Sequence, residues 1–152
     1  MSGRIFPTSQ DCESAFYEAL ERADLDLMMA VWAEDEEIVC IHPGGPRLCG
    51  QDAVRESWAQ IFAGGARMRV HVSQQVTVSG MMLAVHSVFE AFSMESAEGG
   101  EPARDSRPPP IVATNVYLRS PSGWRMVVHH ASPAPGKAEP PPAPKAAPRH
   151  FH

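Results

Sequence analysis

Residues 68–78 read Met68-Arg69-Val70-His71-Val72-Ser73-Gln74-Gln75-Val76-Thr77-Val78. Met68, Val70, Val72, Gln74, Val76 and Val78 share one parity; Arg69, His71, Ser73, Gln75 and Thr77 share the other. Successive strand residues point to opposite faces, so this stretch predicts a half-buried strand with one wet face. It also marks a change of period along the chain. Downstream, Ser79-Gly80 turns the chain into residues 81–95, apolar on both parities and hence a central strand. Two more strands are expected at 111–119 and 124–132, joined by Ser120-Pro121-Ser122-Gly123.

Upstream, the apolar residues recur at helical spacing. Cys12, Ala15, Phe16, Ala19, Leu20 and Ala23 make one stripe over residues 8–24, with Thr8 and Asp11 placed as a capping box and Glu13, Glu21 and Arg22 off the stripe. A short second helix starts at Asp24 or Asp26 and carries Leu27, Met28, Val31 and Trp32. A third is expected over 51–63, with Val54, Trp58, Ile61 and Phe62 on one face and Gly64-Gly65 after it. Between them, Ile38-Val39-Cys40-Ile41-His42 is a short β-branched run ended by Pro43-Gly44-Gly45-Pro46, read as one strand. Three helices, one short strand and four antiparallel strands make an α+β layer architecture.

The 152 residues suit one domain with tails. Eleven of the 15 Pro fall in 102–110 and 133–148. Residues 96–110 are therefore expected to form a mobile hairpin loop, and 134–152 a disordered Pro/Ala-rich tail. That leaves an N-terminal arm at 1–7 and a folded domain at 8–133. A net charge of −5 argues against a nucleic-acid partner. No apolar run approaches the ~20 residues of a membrane span, and the first residues lack the apolar core of a signal peptide. Three cysteines without CxxC spacing, Cys12, Cys40 and Cys49, read as reduced thiols in a cytoplasmic protein.

The order of elements, with particular residues, resembles the nuclear transport factor 2-like superfamily in its SnoaL-like branch. The matching residues are Val31-Trp32-Ala33, Ile41-His42-Pro43-Gly44-Gly45, Gly50 through Ser57-Trp58 to Ile61-Phe62, Ala113-Thr114-Asn115-Val116-Tyr117, and the run from Gly123-Trp124 to His129-His130-Ala131-Ser132. The resemblance covers about residues 8–133. It implies a cone: a strongly curved antiparallel sheet around a cavity, packed against the three N-terminal helices. It also implies pairing of two copies through the sheet's outer face. The enzymes of this superfamily act on small, mostly apolar molecules; other members bind or oligomerise only.

The candidate site residues follow from parity. Neighbours in a strand cannot share one metal ion, so His129 and His130 face opposite ways. Trp124, Met126, Val128, His130 and Ser132 share a parity, which places His130 inside the cone and His129 outside; a single β-bulge would exchange them. His42 ends the first strand, where it can meet a pocket mouth. Glu90 lies in the apolar central strand in parity with His86 and Val88, and a carboxylate there is costly to bury unpaired. Residues Asn115 and Tyr117 share a face that is either interior or exterior. In a ketosteroid isomerase-like reading, Tyr117 would donate to an oxyanion. Trp32, Trp58, Phe62 and Trp124 are core aromatics or pocket walls. His42, His86, His130 and Glu90 are acceptable zinc ligand types, but no spacing supports a site, and no metal or cofactor is expected. No Asp falls on a strand facing the cone, unlike the characterised enzymes of the superfamily.

Three functions are compatible with these residues. The first is binding of a small, largely apolar molecule by a cone walled by Trp32, Trp58, Phe62 and Trp124, with polar contacts from His130, His42, Tyr117 or Asn115. The second is an isomerase, dehydratase or cyclase with His130 as general acid or base and Glu90 as partner or second base. The third is a non-catalytic dimerisation module acting through its outer sheet face.

Overall fold

The computed structural model describes residues 4–65, 67–94 and 109–135. Most of the expected 96–110 loop and of the 134–152 tail lies outside these residues.

Three helices precede and interleave with the strands: α1 (Ser9–Arg22), α2 (Leu25–Val31) and α3 (Gln51–Ala63). Local chemistry fixes their starts. The Thr8 hydroxyl accepts from the Asp11 amide at 3.0 Å, and Asp24 Oδ1 accepts from the Leu27 amide at 3.0 Å, so two otherwise orphaned helix donors are satisfied. Ala23 ends α1 in the left-handed region, φ 51°.

The strands are β1 (Val39–Ile41), β2 (Arg47–Cys49), β3 (Met68–Ser79), β4 (Leu83–Met94), β5 (Ile111–Ser120) and β6 (Gly123–Pro133). They form one sheet in the order β2-β1-β6-β5-β4-β3. β2, which pairs with β1 across the Pro-Gly-Gly-Pro turn, is absent from the sequence reading. β1 runs parallel to β6, so the sheet is mixed and not wholly antiparallel. It is curved and unclosed, with the helices filling its concave side, an α+β cone.

Two bulges bend the long strands and reset their faces. In β3 the register shifts between Ser73 and Val76, with Gln74 at φ 53°. Met68, Val70 and Val72 pack against the core as their parity predicts. Beyond the bulge the parity reverses. Val76 and Val78 turn out to solvent at 61% and 59% exposure, and Gln75 turns in to reach Glu13. In β6, Tyr117 pairs with Met126 but Val116 pairs with Val128, so Val127 is the extra residue. Trp124 and Met126 face inward before it; His129 and Ala131 face inward after it. His130 is exposed, and its expected place inside the cone is corrected: the bulge puts His129 there instead.

The core lies between α1 and the sheet. Phe16 is fully buried, edge-on to Tyr17 and Trp58 at centroid distances of 4.9 and 5.6 Å. A ring buried this fully contributes ~2–3 kcal/mol by area alone. Trp32 and Trp124 belong to this core. No helix among the described residues is long and apolar enough to cross a membrane.

Candidate functional site

A cavity of about 270 Å³ opens where α1, α3, the end of β1 and the sheet meet. Its walls are Leu20 from α1, Trp58 and Ile61 from α3, Met68 from β3, Phe92 from β4, and Ile111 and Ala131 from β5 and β6. Three titratable side chains converge on it from different elements: His42, Glu90 and His129.

Glu90 is 2% exposed. Its Oε2 accepts a 2.5 Å hydrogen bond from the Tyr17 hydroxyl. Burial raises its carboxyl to about 7, the Tyr17 bond opposes the rise, and nearby Glu13 adds to it. The carboxyl therefore exchanges its proton near neutrality. Tyr17 is itself pushed far above the ordinary phenol range, by burial and then by Glu90.

His129 lies in the gap between Phe16 and Trp58, with ring centroids 4.8 and 6.2 Å away. Its Nδ1 is 2.6 Å from Asn115 Oδ1, so Nδ1–H donates and Nε2 keeps the acceptor lone pair. Burial, with His42 and His130 nearby, lowers it to about 3, and the ring is neutral at physiological pH. His42 sits edge-on to Trp58 at 4.7 Å, with Nε2 3.0 Å from the Ser57 hydroxyl, and burial lowers its pKa too. Trp58 is 2% exposed, and its Nε1–H has no acceptor among the described residues.

Behind the cavity runs a buried polar network that fixes these groups. Asn115 donates from Nδ2 to Tyr17 Oη at 3.1 Å and to Glu13 Oε2 at 3.2 Å. Glu13 Oε2 also accepts from Tyr117 Oη and from His86 Nδ1, both at 2.9 Å, and Gln75 donates to Oε1. His86 Nε2 meets the Ser9 hydroxyl at 2.9 Å. One α1 carboxylate thus gathers donors from β3, β4 and β5. Satisfied networks of this kind hold side chains in single rotamers.

The structure brings His42, Trp58 and Glu90 together at the cavity. Phe62 is half-buried and packs on Trp58 at 5.7 Å without lining the cavity. Asn115 and Tyr117 face inward but belong to the network behind it. Trp32 and Trp124 are buried toward the β5–β6 hairpin and do not line the cavity. His130 lines nothing there. Glu13 and Tyr17 escaped the sequence reading because the helix stripe was drawn too narrow. They stand four residues apart, one turn of helix, and the curved sheet wraps far enough round α1 to bury them both. Among the described residues no three His, Cys, Asp or Glu side chains are grouped to hold a metal. Burial pushes the Cys12 and Cys40 thiols up to about 12, which leaves them unreactive.

Comparison with known proteins places this geometry. A crystal structure from Thiobacillus denitrificans, of a protein assigned as a calcium/calmodulin-dependent protein kinase type II association domain, is 40% identical. The match covers 86% of this chain and 98% of that one, with a TM-score of 0.72. A protein of Streptomyces avermitilis, assigned as a dehydratase of the nuclear transport factor 2-like family, is 30% identical over 84% of this chain and 94% of its own, with a TM-score of 0.71. The F-box protein SKIP8 of Arabidopsis thaliana is 24% identical over 119 residues, 77% of this chain; the chain spans 46% of that relative's length. The SnoaL-like domain model matches residues 10–136. The chain belongs to the SnoaL-like domain family, within the nuclear transport factor 2-like superfamily.

Proposed function

We propose that this chain binds a small, largely apolar molecule carrying a hydrogen-bonding oxygen, in the cavity between α1, α3 and the sheet. One observation carries the reading: an apolar recess of about 270 Å³ on which Glu90, His42, His129 and the unpartnered Trp58 indole converge. Its volume lies just below the ~300–1,000 Å³ usual for small-molecule sites, and the apolar wall with a few placed polar groups is their common form. The protonated Glu90 is a donor, His129 Nε2 is an acceptor, and the Trp58 ring is part of the wall. Gentle purification followed by mass measurement under native and denaturing conditions tests the reading. A retained small molecule is expected; a bare protein that also takes up no small ketone would refute it.

A second reading, proton-transfer catalysis, is favoured by the Glu90 carboxyl at about 7. A group poised near the working pH takes and returns a proton efficiently, and acid–base catalysis contributes ~10²–10⁴-fold. The 30% identical relative assigned as a dehydratase points to substrates that lose water by such a transfer. Glu90 and not His130 is the residue for this role. Screening β-hydroxy carbonyl compounds for turnover that Glu90→Gln abolishes tests it.

As partner, a second copy of this chain fits the outer face of the sheet. Val76, Val78 and Leu83 stand there at 61%, 59% and 48% exposure, and clustered exposed apolar residues mark interaction sites. The 40% identical relative assigned as an association domain agrees with assembly. Neither a nucleic acid nor a membrane is part of this reading, and buried free thiols fit a reducing compartment such as the cytoplasm.

A further inference from the structure

A second recess, about 640 Å³, lies at the β5–β6 hairpin and shares no lining residue with the cavity. The N-terminal arm builds one wall. Phe6 O accepts from the Trp124 amide at 2.9 Å, and the close approach depends on Gly123. This residue has φ +101°, and a Cβ there would stand 2.9 Å from both Phe6 N and Phe6 O. Arg125 pins the arm further: it donates to Arg4 O at 2.7 Å and Trp124 O at 2.9 Å, and lies 5.2 Å over the Phe6 ring. Val127, the residue the β6 bulge turns out, lines the floor with Met29.

Three guanidinium groups, Arg4, Arg119 and Arg125, line this recess, and among the described residues none is ion-paired with a carboxylate. Glu34 and Asp35 also line it, and Asp35 Oδ1 is taken up by the Glu37 amide. Trp32 also lines it. Trp32 is 1% exposed, and its Nε1–H is buried without an acceptor among the described residues. A buried unmade donor is costly, and buried polar groups normally find a partner. Three arginines with no carboxylate partner among the described residues, beside an apolar floor, share one complement.

We propose that the recess bounded by Trp32, Arg119 and Arg125 is a binding site for a small organic acid, whose carboxylate meets the arginines while its apolar body lies along Met29 and Val127, beside the Trp32 ring. Arginine favours carboxylates through charge-assisted, often bidentate, hydrogen bonds. The site is independent of the cavity, and the proposal stands whether or not the cavity binds anything.

Each recess contains one unpartnered indole, so the test reads both at once. The folded protein is titrated with 2-naphthoate and, separately, with 2-naphthalenemethanol, following the indole N–H signals by ¹H–¹⁵N NMR; Trp32→Phe and Trp58→Phe assign them. Saturable displacement of the Trp32 signal by naphthoate is expected, with the alcohol bound about tenfold or more weakly, the loss of one charge-assisted contact. Arg119→Gln, on an exposed residue that leaves the arm intact, should weaken naphthoate by a similar factor. An unmoved Trp32 signal at millimolar naphthoate, equal binding of acid and alcohol, or displacement confined to Trp58 would overturn the proposal.

Discussion

The Tyr17 hydroxyl stands 2.5 Å from Glu90 Oε2, across the gap between α1 and the central strand. The bond joins the first helix to the one cavity carboxyl that titrates near neutrality. In the unfolded chain Glu90 loses its proton near the ordinary 4.5; in the folded protein it holds it to about 7. The folded state therefore binds more protons in that window, and stability falls as pH rises from about 4.5 to about 7, by up to ~3 kcal/mol. Glu90→Gln keeps the Tyr17 contact and removes the titration. Urea unfolding at pH 5 and pH 8 should show the variant gaining on the wild type at pH 8. Removing the Tyr17 donor takes away the one effect that holds Glu90 down, so Tyr17→Phe should raise the Glu90 midpoint above 7, read from its side-chain ¹³C signal.

His129 works in the opposite sense. Its pKa falls from 6.5 to about 3 on folding, chiefly by burial, so the unfolded state binds the extra proton below pH 6.5. Stability is complete above that pH and is lost as pH falls toward 3, by as much as ~4–5 kcal/mol. Between about 4.5 and 6.5 the two groups oppose and largely cancel, and His42, also held down by burial, adds to the His129 side, so only a shallow rise of stability with pH is expected there. His130→Gln, on the exposed face, should leave unfolding within ~0.5 kcal/mol of wild type. By contrast, His129→Gln should disturb both stability and the cavity. Equal effects of the two substitutions would mean that β6 has no bulge at Val127.

Glu13 holds four donors from three strands, and its removal strands three of them, His86, Asn115 and Tyr117, in the core. Glu13→Ala should destabilise the fold by ~3–5 kcal/mol, as for other broken buried charge networks. Glu13→Gln keeps a carbonyl oxygen for the three donors on Oε2, turns its amide toward exposed Gln75 and loses the charge, and should cost ~1–3 kcal/mol. Urea midpoints at constant slope give both numbers.

The outer face of the sheet predicts a dimer. Val78→Asp places a charge at a position 59% exposed in the single chain, next to Val85 across the β3–β4 pair. Sedimentation velocity should show the wild type as a dimer and the variant as a monomer with unchanged circular dichroism. A monomeric wild type would remove the interface.

The layers of the fold were legible because they follow from period alone. Stripes at helical spacing gave α1 and α3 nearly to the residue, alternation located β3, and apolar runs between turn signals located β4, β5 and β6. Parity failed wherever a bulge intervened. A bulge leaves no mark in a run such as Gln74-Gln75 or Val127-Val128, and each one exchanges the faces of every residue after it. That is why Val76 and Val78 lie outside and His129 inside. β2 was too short and too polar to register. The site was half legible: Glu90 stood out as a carboxylate in an apolar strand. Its partners Tyr17 and Glu13 did not, since they lie beside the apolar stripe of α1 and are buried only because the sheet curls round the helix.

The most direct test of the cavity is titration of the folded protein at pH 6 with acetophenone, an apolar ring bearing one acceptor oxygen, following the Trp58 indole N–H. Ala131, 2% exposed and lining the cavity, supplies the control: Ala131→Phe fills the space from β6. Saturable displacement of the Trp58 signal is predicted in the wild type, weakening as pH rises past 7 and absent in a folded Ala131→Phe variant. A signal that does not saturate, or that responds equally in the filled variant, would contradict a binding cavity between α1, α3 and the sheet.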